Sequence, residues 1–315
     1  MWKEPGKAKT KHTLVKVEWR FIVKRILITG KNSYIGTSVE KWLLSEPELY
    51  SVNTIDVRNN SWKEHDFSKY DVVFHVAGIA HVSSNPKMED LYYKVNRDLT
   101  IEVARKAKLE GVKQFIFMSS IIVYGDSNKK DRVITSETIP NPTNFYGRSK
   151  LQAEEEIEKQ ASGDYKVVVL RPPMIYGKGS KGNYHRIAKL AQWIPIFPDY
   201  QNCRSMLYID NLCEFIKNTI DFEETGIFFP QNSEYVKTSE LVRLIGQAHG
   251  RKIILVIWLA WVIKLMAGLK TINKIFGNLY YEKSMSRYMK SNYQVRDFSQ
   301  SIELTEKYVI SEVGL

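Results

Sequence analysis

Through the first half of the chain, short apolar runs alternate with longer amphipathic stretches, and this alternation restricts the fold more than any other feature. Arg25–Thr29 (RILIT) has the length of a strand, as do Val52–Val57, Asp71–Val76 (DVVFHV), Gln114–Met118 (QFIFM) and Tyr165–Leu170 (YKVVVL). Between them, Ser38–Leu44, Met88–Leu109 and Tyr146–Gln160 carry helical spacing. Strands separated by helices of about ten or more residues pair in parallel, and a parallel sheet is covered on both faces. An α/β fold is therefore predicted, with ligands along the carboxyl edge of the sheet. Beyond about residue 172 the alternation blurs, which predicts a smaller lobe threaded back against that edge.

Charge narrows the choice of partner. The formal net charge of +11 points to a polyanion until it is mapped. Residues 1–25 hold eight Lys and Arg against two Glu, a net of +6, which leaves +5 for the other 290. The excess is therefore largely a property of this N-terminal tail, of which residues 1–23 are predicted to form a poorly ordered basic extension, and no nucleic-acid partner is expected. No apolar core follows these basic residues, so the arm does not read as a secretory signal. Cys203 and Cys213 form neither a metal spacing nor a disulfide framework, and reduced thiols fit the cytoplasm. The most apolar stretch, Ile253 to Leu269, contains Lys264; its 17 residues fall short of the about 20 that span a bilayer. A buried strand running into an apolar helix is predicted there, in preference to a helix lying on a membrane surface, and no membrane partner is expected.

Two loops carry chemistry. The first is Gly30-Lys-Asn-Ser33-Tyr-Ile-Gly36, a glycine turn between a strand and a helix. Gly30 allows the tight turn, Gly36 allows close helix–strand packing, and the helix N-terminus offers free N–H groups and its dipole to a pyrophosphate. The middle position is Ser33, where the Gly-x-x-Gly-x-x-Gly variant has glycine. Asp56 stands 20 residues beyond Gly36, at the end of the second strand, where a carboxylate bonds the adenosine ribose hydroxyls of NAD. Arg58 follows and suits a 2′-phosphate instead. NAD(H) is the expected cofactor and NADP(H) the alternative.

The second is Tyr146-Gly-Arg-Ser-Lys150, which puts Tyr and Lys four apart on one helix face. A phenol is a poor base at neutral pH, and an ammonium or an oxidised nicotinamide nearby favours the phenolate. Met118-Ser-Ser120 closes an earlier strand, and a hydroxyl there can bond the sugar oxygen that Tyr146 protonates. Ser120 is expected in that role because it lies four residues before Tyr124, with Ser119 second. His75 reads as a satisfied core histidine and His81, just past the strand, as a substrate contact. No metal site is expected, for want of ligands at metal spacing.

Taken together, Thr29-Gly30 with Gly36, Asp56, His75-Val-Ala-Gly78, Asn96, Ser120, Tyr146/Lys150 and Leu170-Arg-Pro-Pro-Met-Ile-Tyr-Gly177 resemble, in order, the extended short-chain dehydrogenases. These comprise nucleotide-sugar epimerases, dehydratases and reductases, and the likeness runs over roughly residues 24 to 290. It implies a Rossmann-type doubly wound parallel sheet over 24–172. It also implies a smaller C-terminal α/β substrate lobe over 173–315, with parts returning to the sheet. By the same resemblance, Gly30, Ser33, Ile35 and Gly36 lie on the pyrophosphate and Asp56 on the ribose. Ala77, Gly78 and Asn96 belong to the cofactor site, Lys150 touches the nicotinamide ribose, and Pro172 and Met174 sit near the nicotinamide. Asn183 and Arg204 match positions that hold the nucleotide diphosphate, for which an arginine fork is suited. A homodimer through the helices around 88–109 and 146–160 is a family expectation.

Three chemistries share this scaffold. Family dehydratases carry an Asp-Glu pair after the catalytic hydroxyl; Ile121 and Ile122 stand there and cannot move protons, which excludes dehydration. Between reductase and epimerase, two features favour reduction. Only 14 residues, Arg58 to Asp71, link the second strand to the third, leaving little room to enclose an adenosine, and Ser33 loosens the glycine loop. The run from Arg171 to Tyr184 and Phe276-Gly-Asn-Leu-Tyr-Tyr281 also resemble bacterial capsule-pathway reductases of UDP-linked 4-keto-6-deoxy sugars. Such a reductase is the expected enzyme; a 4-epimerase of UDP-glucose or UDP-N-acetylglucosamine is the alternative, and a non-catalytic NAD(P)-binding protein a distant third.

Overall fold

A computed structural model describes residues 23–80, 85–125, 132–266 and 269–310. The basic arm, apart from its last residue, and His81 lie outside the described residues.

Five apolar runs form strands close to where the sequence puts them: β1 (Lys24–Thr29), β2 (Tyr50–Ile55), β3 (Val72–His75), β4 (Gln114–Met118) and, two-residue β5 (Val133–Ile134) apart, β6 (Lys166–Leu170). A sixth strand, β10 (Gly226–Phe228), reaches the same sheet from far beyond residue 172. All pairings are parallel, in the order β10-β6-β4-β3-β1-β2. The strand order reverses direction at β1, between β2 and β3, and the crevice outside the carboxyl ends there is the place for a ligand.

The helices cover both faces. α1 (Tyr34–Leu43) follows the glycine turn and packs on α6 (Ile209–Asp221). On the other face lie α3 (Leu99–Leu109) and α4 (Phe145–Glu158). The stretch from Met88 to Leu109 is not one uniform helix. Short α2 (Glu89–Tyr92) runs into a π turn over Tyr93–Asp98, and only then does α3 begin. Between β2 and β3 a single 3-10 turn, Asn60–Glu64, anchors itself by burying Trp62.

The remaining elements build the C-terminal part: β7 (Met174–Tyr176) pairs with β9 (Met206–Tyr208), and α5 (Asn183–Ala191) precedes β8 (Ile196–Pro198). After α7 (Thr238–Ala248), β11 (Ile254–Val256) pairs with β8; α8 (Ala260–Leu265), α9 (Lys270–Phe276), β12 (Tyr280–Tyr281) and α10 (Phe298–Ile310) follow. Its apolar core is continuous with one face of the sheet: Ile26, Phe74 and Leu170 belong to the same cluster as Tyr184, Phe197 and Ile245. The other face packs Leu27, Val73, Phe115 and Val169 against Val103 and Ala153.

One expectation fails here. The apolar stretch from Ile253 is a strand, a 3-10 turn (Ile257–Leu259) and a short helix, but not a buried one: Ile254, Ile257, Trp258, Trp261 and Leu265 are all exposed, and among its described residues only Ile253 and Ile263 are buried. β11 pairs with a three-residue strand at the margin of the fold, so nothing covers its outer side among the described residues. No helix among the described residues is long and apolar enough to cross a membrane.

Candidate active site

At the carboxyl end of β1 the chain turns on Gly30, whose φ of +121° is open to glycine and whose added Cβ would come within 3.0 Å of the Ala77 nitrogen. Ser33 is the N-cap of α1, its side chain accepting from the Gly36 N–H at 3.1 Å. Serine at this position therefore replaces glycine with a cap that fixes the helix start. It occupies one first-turn donor and leaves those of Tyr34 and Ile35, which have no acceptor within the helix. The phenol of Tyr34 leaves this turn, its oxygen buried against Gly177. An open helix N-terminus and a close-approach glycine suit a dinucleotide's pyrophosphate.

Asp56 follows β2 by one residue, beside that turn, where the amides of Gly30 and Lys31 both donate to the Ile55 carbonyl at 3.1 Å. Its carboxylate is clasped by Arg58, whose Nε lies 3.0 Å from both oxygens, and this bonding pulls its pKa down to about 2. The two residues that speak for different cofactors thus hold each other, and exposed Arg58 is free to swing away.

After β3, Ala77 and Gly78 run along the crevice floor. Gly78 is shaped by its neighbours: a Cβ there would lie 3.0 Å from Asn96 Oδ1 and 3.2 Å from Lys150 Nζ. Asn96 sits in the π turn, fully buried; its Oδ1 accepts from the Ile79 amide at 2.8 Å and its Nδ2 donates to the Ile79 carbonyl at 3.0 Å. It thereby clamps the loop that lines the crevice, because a buried carboxamide satisfies both ends on the nearest free backbone. His75 bonds Thr29 at 2.7 Å through Nδ1 and Thr100 at 3.1 Å through Nε2, and burial holds its pKa down at about 3.

β4 ends at Met118 and Ser120 caps the 3-10 turn Ile121–Tyr124, accepting from the Ile122 N–H at 3.3 Å. The same side chain acts on the phenol of Tyr146, which rises from the first turn of α4. One turn on, Lys150 is buried; its Nζ donates to the Met118 carbonyl at 2.8 Å and lies 4.5 Å over the Phe117 ring. Ser120, Tyr146 and Lys150 thus gather at the end of β4, with Lys150 against Gly78. Burial pushes the Tyr146 phenol up to about 12, against the pull of Ser120, and pushes the Lys150 ammonium down to about 7. Lys150 is not among the groups that act on the phenol in the chain alone. Both charged forms are penalised by the same dry setting.

Ser119 points elsewhere. It donates to Glu154, which forms a buried pair with Arg171 at 2.5 Å; Arg171 also donates to the Tyr124 hydroxyl at 2.8 Å. This network underpins the turn that carries Ser120, and the sequence reading missed it. The available signal was Glu154, four residues after Lys150 on the same helix face, with Arg171 closing an apolar strand.

Pro172 is buried and accepts from the Ile121 amide at 2.9 Å, tying the end of β6 to the same turn; Met174 opens β7 beyond it. Asn183 is the exposed first residue of α5. Arg204 is half-buried, donates to the Gly277 carbonyl at 2.8 Å, and is pulled down to about 10 by burial; among the described residues no carboxylate pairs with it. A groove of about 630 Å³ lined by Gln231, Asn232, Lys283, Arg287 and Tyr288 among others contains none of Ser120, Tyr146 or Lys150. No group of three or more His, Cys, Asp or Glu among the described residues is placed to hold a metal ion.

Residues 26–227 match the model of the NAD dependent epimerase/dehydratase family. The chain belongs to that family. It is therefore an enzyme of an NAD(P)-dependent kind. The chain is 30% identical to the UDP-glucose 4-epimerase of Vibrio cholerae over 252 residues, 73% of this chain and 77% of that protein. It is 27% identical over 250 residues to the N-acetyl-alpha-D-glucosaminyl-diphospho-ditrans,octacis-undecaprenol 4-epimerase of Escherichia coli O157:H7, covering 72% and 73%. Among solved structures, the UDP-glucuronic acid 4-epimerase of Bacillus cereus in complex with NAD superposes with a TM-score of 0.71 at 18% identity, over 92% of this chain and 100% of that one. That likeness is one of fold.

Proposed function

We propose that this family member reduces the C4 ketone of a UDP-linked 4-keto-6-deoxyhexose for surface-polysaccharide synthesis. The observation that carries this reading is the gathering of Ser120, the buried Tyr146 phenol and the buried Lys150 ammonium at the end of β4, where Lys150 donates to the Met118 carbonyl.

When bound, NAD(P)H supplies the hydride for C4. Tyr146 donates a proton to O4, so the ketone gains a hydride at carbon and a proton at oxygen, two electrons and two protons in all, and becomes an alcohol. A phenol held up at about 12 is protonated at neutral pH and ready to act as an acid. Ser120, already accepting from Ile122, has its own hydrogen to aim at the same oxygen. Lys150, held on the Met118 carbonyl at the same strand end, would when protonated offset negative charge as it develops. Gly30, Ser33, Ile35 and Gly36 would hold the pyrophosphate, Asp56 the ribose, and Ala77, Gly78, Pro172 and Met174 the nicotinamide side. Arg204, a half-buried cation without a carboxylate, would pair with the sugar's diphosphate, with Asn183 beside it. NAD(H) is preferred for Asp56; Arg58 allows NADP(H).

Epimerisation at C4 is the second reading, favoured by the names of the two relatives. An epimerase begins with proton removal by the phenolate, which an oxidised nicotinamide bound beside Tyr146 would favour. The short link between β2 and β3, a single 3-10 turn, by contrast leaves the adenosine edge open to cofactor exchange. Pure enzyme given the 4-keto sugar nucleotide and NADH or NADPH should consume the reduced-nicotinamide absorbance. No consumption, together with conversion of UDP-glucose to UDP-galactose without added cofactor, would replace reduction by epimerisation.

A further inference from the structure

The exposed apolar face around β8 and β11 is not explained by the active site. Ile196 and Ile254 are register partners and both are exposed, so they share the outer side of the two-stranded pair. The following 3-10 turn and α8 add Ile257, 76% exposed, Trp258, 66%, and Leu265, 74%; Trp193, 79% exposed, stands just before β8. Trp258, Trp261 and Leu265 recur at helical spacing on the side away from buried Ile263. Soluble monomers rarely leave such large side chains contiguous and uncovered.

The charges around this face choose its occupant. Residues 178–198 and 251–281 together contain nine Lys and Arg and no Asp or Glu, although the chain carries 35 acidic residues. Lys189, Arg251, Lys252 and Lys264 are exposed, and none pairs with a carboxylate among the described residues. A second copy docking face to face would set basic residues against basic ones, because a two-fold interface meets itself. A surface with apolar, tryptophan-rich side chains ringed by unpaired cations matches the headgroup boundary of an anionic bilayer. With no described helix long enough to cross, the fit is to lying on the surface.

We propose that the β8–β11–α8 face is a docking surface for anionic lipid membranes, a conclusion independent of which sugar the enzyme transforms. Docking there ties the bilayer to the substrate lobe, since α5 runs from Asn183 to this face and α9 leads from it to Gly277, the acceptor of Arg204.

The full-length chain should co-sediment with vesicles of one part phosphatidylglycerol to two parts phosphatidylcholine and blue-shift its tryptophan emission. Binding should weaken on pure phosphatidylcholine and with added salt. Trp258→Gln with Trp261→Gln should weaken binding by about tenfold or more, and Lys264→Glu by about fivefold to tenfold. All three substitutions are exposed, and circular dichroism would verify folding. Turnover of a water-soluble sugar nucleotide should be unchanged. The proposal is overturned if the full chain ignores anionic vesicles. It is equally overturned if the double variant binds them as tightly as the unmodified chain, which would assign binding to the basic arm. A dimer that the tryptophan substitutions dissolve would assign the face to a second copy instead.

Discussion

Two segments of this molecule are built alike and end differently. Gln114–Met118 is an apolar strand followed by the 3-10 turn Ile121–Tyr124; Ile254–Val256 is an apolar strand followed by the 3-10 turn Ile257–Leu259. The first lies between β3 and β6 with α3 and α4 on one side and the α1 layer on the other, and all five of its strand residues are buried. The second has one three-residue partner and shows its outer side to solvent. An apolar run encodes a wish for cover; the cover itself comes from elements far away in sequence. Where cover exists, the turn becomes a dry floor that can hold Ser120 against Tyr146. Where it does not, the same chemistry is a sticky exterior.

Substitutions can break that contrast. The largest effect is expected at the covered unit: Tyr146→Phe should lower kcat by about 10²- to 10⁴-fold, the span of general acid catalysis, in the reductase assay. An almost unimpaired variant would remove the mechanism. Next, Glu154→Ala should leave Arg171 buried without its counter-charge and cost about 3–5 kcal/mol in urea unfolding. A loss no larger than that of a surface mutation would show that the network under the Ser120 turn is ornamental. Phe115→Ala, in the same strand, should also cost about 3–5 kcal/mol, as a large cavity in a packed core.

A pH effect should follow from Lys150. Its pKa falls from 10.5 in the open chain to about 7 in the fold, so between these values the unfolded state binds the extra proton. Stability should therefore rise with pH from about 7 toward 10.5, and Lys150→Met should flatten that part of the profile. An unchanged slope would mean that the ammonium is better solvated than its buried position indicates. The smallest effect is expected at the uncovered unit: Trp258→Ala should change unfolding free energy by no more than about 0.5 kcal/mol. A loss matching that of Phe115→Ala would mean that this face is covered after all.

Much of this architecture was legible in residue order. Strand runs such as QFIFM and YKVVVL lie within a residue or two of β4 and β6, because a strand buried on both faces must be apolar throughout. The candidate trio could be named from residue order too, since Tyr146 and Lys150 sit one helical turn apart and Ser120 stands two residues past the end of β4. What was not legible depends on packing. The π turn at Tyr93–Asp98 leaves no mark on periodicity. The Glu154–Arg171 pair joins residues from two elements whose contact only the fold creates. The face around Trp258 was misread for the reason already given: hydropathy measures appetite for burial, not the presence of a neighbour.

The helix irregularity holding Asn96 has a consequence for how the crevice tolerates insertion and deletion. A π turn carries one residue more than the α-helix that would replace it. Removing any one residue between Tyr93 and Asp98 lets the backbone relax into regular α-helix, with α2 and α3 keeping nearly their relative phase while the bulge that aims Asn96 at Ile79 is lost. The loop at Ile79 would lose its clasp even where Asn96 itself was kept. A length polymorphism of a single codon in a helix, ordinarily a matter of surface register, would here act as an on–off switch on the floor beneath Gly78.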